Sequence, residues 1–118
     1  MKNYLIAICA LFFISFTLQQ VIEQGKASYY ASQFEGRRTS SGDIFRQDSL
    51  TAAHKTLPFG TRVLVKNLSN DSSVIVKIND RLSKSSPHVI DLSLKAAKKL
   101  NFVRQGITTV TIEKIEQL

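Results

Sequence analysis

Apolar and polar side chains alternate across the middle of this chain. In Thr61–Asn67, Val63 and Val65 share one face; in Ser73–Ile78, Val74, Val76 and Ile78 do the same. A period of two carried by β-branched residues predicts strands with one buried face. Asn70-Asp71 between the two segments predicts a hairpin turn. Three further strand segments are predicted, at Ala27–Ser32, at Leu50–Ala53 and at Ile107–Ile112. Pro58-Phe59-Gly60 reads as a turn, and Gly36 to Asp43 as a loop rich in short polar side chains. The period changes once. After Asp91, Leu94, Ala97 and Leu100 fall on one helical face and Lys95, Lys98 and Lys99 fall away from it, with Ser93 as the cap. Two segments also run from a glycine into an alternating strand, Gly60–Val65 and Gly106–Thr111. Two similar halves would suit a pseudo-symmetric barrel.

The N-terminus has a different pattern. Lys2 precedes an almost wholly apolar run from Tyr4 to Leu18, the layout of a secretory signal. The run is short for a membrane span, which needs about 20 apolar residues. No A-x-A site marks cleavage, so residues 1–20 are read either as a signal peptide or as an uncleaved anchor. Cys9, the one cysteine, follows Ile8 where lipidation would want a small residue. The expected organisation is a 21–26 linker, a domain over 27–113 and a 114–118 tail. The chain is read as exported.

Composition narrows the chemistry. The 118 residues suffice for one domain, and the exported part has no cysteine, so no disulfide and no thiolate metal site are available. The formal net charge is +7, or +6 once Lys2 is removed. A basic exported domain is drawn to an acidic partner such as peptidoglycan, an anionic wall polymer or lipid. Nucleic acid suits the charge but neither the leader nor the motifs. No carboxylate or histidine cluster accompanies His54 at ligand spacing, so no metal and no cofactor is expected.

Several motifs stand in order. Gly25-Lys26-Ala27-Ser28-Tyr29-Tyr30 opens the domain. Phe34-x-Gly36-Arg37-x-Thr39 and Ser41-Gly42-Asp43-x-Phe45 follow, then the uninterrupted Thr51-Ala52-Ala53-His54-Lys55-Thr56-Leu57-Pro58-Phe59-Gly60-Thr61. Asn79-Asp80-Arg81 and Ile90-Asp91-Leu92-Ser93 complete the set. From Gly25 to about Ile112 this arrangement resembles the rare lipoprotein A (RlpA) family of bacterial envelope proteins. The resemblance implies a mainly β fold, a six-stranded double-psi β-barrel with one or two short helices, shared with expansins and barwin. It also implies lytic transglycosylase activity on peptidoglycan, in which the muramic 6-hydroxyl closes a 1,6-anhydro ring. A monomer that needs only glycan strands as partner is expected, with the membrane involved only through the N-terminal segment if that stays uncleaved.

Such chemistry needs an acid for the leaving oxygen and a stabiliser for an oxocarbenium-like centre. Because the nucleophile is the sugar's own hydroxyl, one carboxyl can act first as acid and then as base. Asp80 matches the aspartate of the family's N-D-R motif and is the first candidate. It would follow a strand ending at Ile78, with its pKa raised by burial or by a neighbouring carboxylate. The alternative is a turn aspartate paired with Arg81. His54 either orients Asp80 or binds a sugar hydroxyl, or else is a buried histidine bonded to backbone. Asp91 lies where expansins place the aspartate of their H-F-D motif; alternatively it steadies the following helix. Asp43 stands where active relatives usually carry glutamate, Arg46 where they often carry aspartate, and Leu82-Ser83 replace the usual Gly-Pro. Tyr30 and Arg81 are the substrate-binding candidates, Tyr30 by stacking on a sugar face. A non-catalytic, expansin-like wall-binding module is the alternative function.

Overall fold

The computed structural model describes residues 20–116. The leader read at residues 1–20 falls, apart from Gln20, outside the described residues. Among those described, no helix is long and apolar enough to cross a membrane.

Six strands close into a barrel. They are β1 (Val21–Tyr29), β2 (Thr51–His54), β3 (Arg62–Asn67), β4 (Ser73–Arg81), β5 (Ile90–Leu92) and β6 (Thr108–Lys114). Their order around the barrel is β1-β5-β2-β4-β3-β6. Pairs β1–β5 and β2–β4 are parallel, and the rest are antiparallel. Adding three to each strand number maps this pairing onto itself, so the barrel has a pseudo-two-fold relation between halves. The glycine-to-strand repeat seen in the sequence leads into β3 and β6, which this operation exchanges. A 3-10 turn at Ser32–Phe34 and one helix, α1 (Leu94–Lys99), complete the architecture.

Alternation fills the interior. Ala27, Ala52, Val63, Val65, Val76, Ile78, Ile90, Leu92, Val110 and Ile112 are each at most 1% exposed and form one core with Ala96, Ala97, Leu100 and Phe102 of the helix region. Ser93 caps α1 as expected, its hydroxyl accepting from the Ala96 N–H. Ala96 joins Ala97 and Leu100 inside, whereas Leu94 is only partly covered.

The elements differ from the sequence expectation in several places. β1 begins at Val21, inside the stretch read as a linker, because its backbone pairs with β6 over Val21–Ala27. β6 runs through Lys114, one residue into the expected tail. β4 continues past Ile78 through Asn79-Asp80-Arg81. β5 was not expected as a strand at all; it is three residues long and buried between β1 and β2.

Candidate active site

The β4 register places Asp80. Ala52 pairs with Ile78, but Ala53 pairs with Asp80, so Asn79 is an extra, bulged residue. Without a bulge Asp80 would share the inward face of Ile78, since side chains alternate along a strand. The bulge turns it outward instead, as bulges do where a side chain must be re-aimed. Ala53 pairs on its other side with Asp91, and Asp91 with Ser28. Asp80, Ala53, Asp91 and Ser28 therefore form a row across β4, β2, β5 and β1 on the outer face. The two carboxylates are separated by two strand spacings, about 10 Å between backbone positions, with the small Ala53 between them.

Three donors hold Asp80. The Tyr30 hydroxyl donates to Oδ2 at 2.6 Å, and the backbone N–H groups of Ser40 and Arg81 each donate to Oδ1 at 2.9 Å. Burial, the largest single influence, pushes the carboxyl up; the Tyr30 hydroxyl and the backbone donors together outweigh it, and the net is below the ordinary 3.8. The expected raised pKa is thus corrected: with no sugar over it Asp80 rests ionised. Its partner in Arg81 is the backbone N–H, not the guanidinium. Tyr30 moves the other way, because burial, the bond to Asp80 and the charges of Asp80 and Asp91 raise its phenol well above the usual range. It stays protonated and keeps donating. Its ring stacks on Phe45 at 4.1 Å and meets Phe34 edge-on, so part of the expected sugar-stacking surface is already occupied.

Asp43 reaches the same region from the 36–43 loop. Its carboxylate lies 3.4 Å from Asn79 Nδ2 and 4.0 Å from Lys77 Nζ, and the register puts Lys77 on the outer face with Asp80. The Ser41 N–H donates to the Asn79 carbonyl, tying this loop to the bulge. Asp91 does not cap α1; its Oδ1 accepts from the Ser28 hydroxyl, and His88 Nδ1 lies 3.9 Å away. The Arg81 guanidinium sits over the Phe59 ring at 4.2 Å and donates to the His54 carbonyl.

His54 is not part of this face. The residue is 4% exposed, and its side chain shares the inward side of β2 with Ala52. Its Nδ1 accepts from the Thr56 and Leu57 N–H groups, so Nε2 carries the proton and donates to Glu23 at 2.6 Å. The expectation that it orients Asp80 is corrected; the backbone-bonded alternative describes it, with Glu23 added. Among the described residues no cluster of histidine and carboxylate suits a metal ion.

Sequence reading missed Ser28, Ser40, Asn79 and His88. Ser28 and Asn79 stand in the quoted motifs and Ser40 and His88 outside them, but the place of each in the site depends on register or loop path, which a motif does not give. Two cavities lie elsewhere, one of 420 Å³ beside Lys98, Asn101 and Arg104 and one of 310 Å³ beside Lys26, Asn70 and Thr109. Neither includes Asp80 or Asp91. The open carboxylate row remains the better candidate, because it gathers the groups able to move protons.

A closed barrel with this pseudo-symmetric pairing and an outer carboxylate row defines a carboxylate-bearing double-psi β-barrel. Solved structures share the fold: Streptomyces papain inhibitor (TM-score 0.63, 22% identity, 81% of this chain and 97% of that one) and an apo expansin from Clavibacter michiganensis (TM-score 0.64, 17% identity, 80% and 50%). The family described as "Lytic transglycolase" matches residues 22–112, and the chain belongs to that RlpA-like family. It is 49% identical over 94 residues to the endolytic peptidoglycan transglycosylase RlpA of Haemophilus influenzae, covering 80% of this chain and 33% of that protein. It is 47% identical over 93 residues to the RlpA of Neisseria meningitidis, covering 79% and 39%. The chain thus spans about a third of the length of these curated relatives.

Proposed function

We propose that this barrel is a lytic transglycosylase domain acting on peptidoglycan glycan strands in the bacterial envelope. The observation that carries this reading is the outer row holding Asp80, gripped by three donors, and Asp91 on either side of Ala53. Asp80 is the acid and then the base. Burial is the strongest influence on its carboxyl, and a sugar seated over it removes more water and favours the protonated form. Asp80 protonates the leaving glycosidic oxygen as the bond to the anomeric carbon breaks. Asp91 faces the developing positive charge. The muramic 6-hydroxyl then attacks the anomeric carbon and returns its proton to Asp80, so no net proton is consumed. Tyr30 aims Asp80, Asp43 flanks it, and Arg81, parked over Phe59, binds polar sugar substituents.

Family membership and relatives named for this activity support the reading. Incubation with peptidoglycan and mass spectrometry of the products tests it. Wild type should release anhydro-muropeptides, and Asp80→Asn should reduce them at least a hundredfold; equal profiles at background level would reject the activity.

A second reading is a non-catalytic, expansin-like module that holds glycan on the same face. Asp43 favours it: this shorter acid is engaged with Lys77 and Asn79 where active relatives usually carry glutamate. Retention on insoluble peptidoglycan without product release would select this reading.

A further inference from the structure

Ser28 lies between His88 and Asp91. Its Oγ is 3.1 Å from His88 Nδ1 and within hydrogen-bond reach of Asp91 Oδ1. The three side chains come from different elements: Ser28 from β1, Asp91 from β5, and His88 from the loop before β5. They are all partly buried, with His88 and Asp91 side chains 24% and 28% exposed.

Donor and acceptor counting sets the direction of this chain. An ionised carboxylate only accepts, so the single hydroxyl hydrogen of Ser28 goes to Asp91. The Ser28 oxygen then has lone pairs to offer, and His88 Nδ1 must be the donor. The order is His88 Nδ1–H to Ser28 Oγ–H to Asp91. His88 therefore carries a proton on Nδ1, as the Nδ1–H tautomer and the imidazolium both do. The loop is shaped to present the ring, since the His88 N–H donates to Ser86 Oγ and the Ser86 carbonyl accepts from Lys55 Nζ at 2.7 Å.

We propose that Ser28 and His88 are positioning residues for Asp91, fixing which carboxylate oxygen is presented along the outer row. This rests on the reading of the Asp80–Asp91 row as the glycan-cleaving face. One oxygen of Asp91 is taken by the chain, and the other is left to meet substrate. Truncating the chain frees the carboxylate to rotate. A displacement of about 1 Å at a reacting group can cost about a hundredfold in rate.

Two measurements test this. The first uses imidazole nitrogen chemical shifts of His88 in the folded protein. The Nδ1–H form is expected in wild type and is expected to be lost in Ser28→Ala. A wild-type ring protonated on Nε2 instead, or one unchanged by Ser28→Ala, overturns the proposal, whether or not the domain cleaves glycan. The second is turnover. Ser28→Ala and His88→Leu should lower the rate of anhydro-product formation about 10- to 100-fold, with retention on peptidoglycan unchanged. Ser28→Thr and His88→Asn, which keep the donors, should stay within about threefold of wild type. Equal loss in the conservative and truncating variants also overturns it. Absence of turnover in wild type rejects the cleavage reading and leaves the nitrogen shifts to decide the positioning claim.

Discussion

At Asp80, two opposing influences meet in one carboxyl. Because its folded pKa lies below the ordinary 3.8, its hydrogen bonds contribute stability above that value and lose it as pH falls through the folded pKa. Asp80→Asn should therefore melt lower than wild type near pH 7, and the gap should narrow below about pH 4; thermal melts at pH 7 and pH 3 measure both. Tyr30→Phe removes the strongest of the lowering contacts. Asp80 then moves upward. If Asp80 must be protonated to act, the high-pH limb of the activity profile shifts to higher pH in Tyr30→Phe, and an unmoved limb would remove Tyr30 from the mechanism. The candidate residues were legible to different degrees. Asp80, Asp43 and Asp91 stand in motifs, so sequence could nominate them. His54 stands in the longest motif yet faces the barrel interior and Glu23. Motif membership says that a residue matters to the family, and strand direction says on which side it works.

The elements show why some boundaries were readable. β3 and most of β4 have strict alternation with β-branched residues, and both appear where expected up to Ile78. The missed extension of β4 is the bulge, where one residue breaks the period and so ends the pattern without ending the strand. β5 has two inward apolar residues around Asp91, too few to establish a period. The start of β1, Val21 and Ile22 followed by polar Glu23 and Gln24, shows no alternation because much of its surface is in solvent, and pairing with β6 holds it. α1 is only six residues, below the length at which a helix is stable by itself. Its existence depends on the cap and on burying Ala96, Ala97 and Leu100. Ser93→Ala should cost about 1 kcal/mol, a fall of several degrees in Tm for a domain of this size. Under the proposed function, glycan cleavage at 25 °C should stay near wild type, because Ser93 faces the Ser49 carbonyl and the helix, not the carboxylate row.

For the whole molecule, charge and topology act on different properties. The formal +7 favours association with an acidic polymer over distances beyond any single contact. Retention on peptidoglycan should weaken as salt rises from about 0.05 to 0.5 M, as screening shortens the reach of exposed charges; salt-independent retention would leave stacking and hydrogen bonds as its cause. The sequence by itself determined the hydrophobic alternation, the hairpin, the capped helix, the basic charge and the ordered motifs. Those properties are local, written in neighbours along the chain. Tertiary structure alone decided that Asp80 and Asp91 share one outer face, that His54 does not, and that Ser28 and His88 join Asp91. Those outcomes follow from the register of non-adjacent strands and one bulged residue at Asn79. A shift of a single position there reverses the face on which a side chain stands.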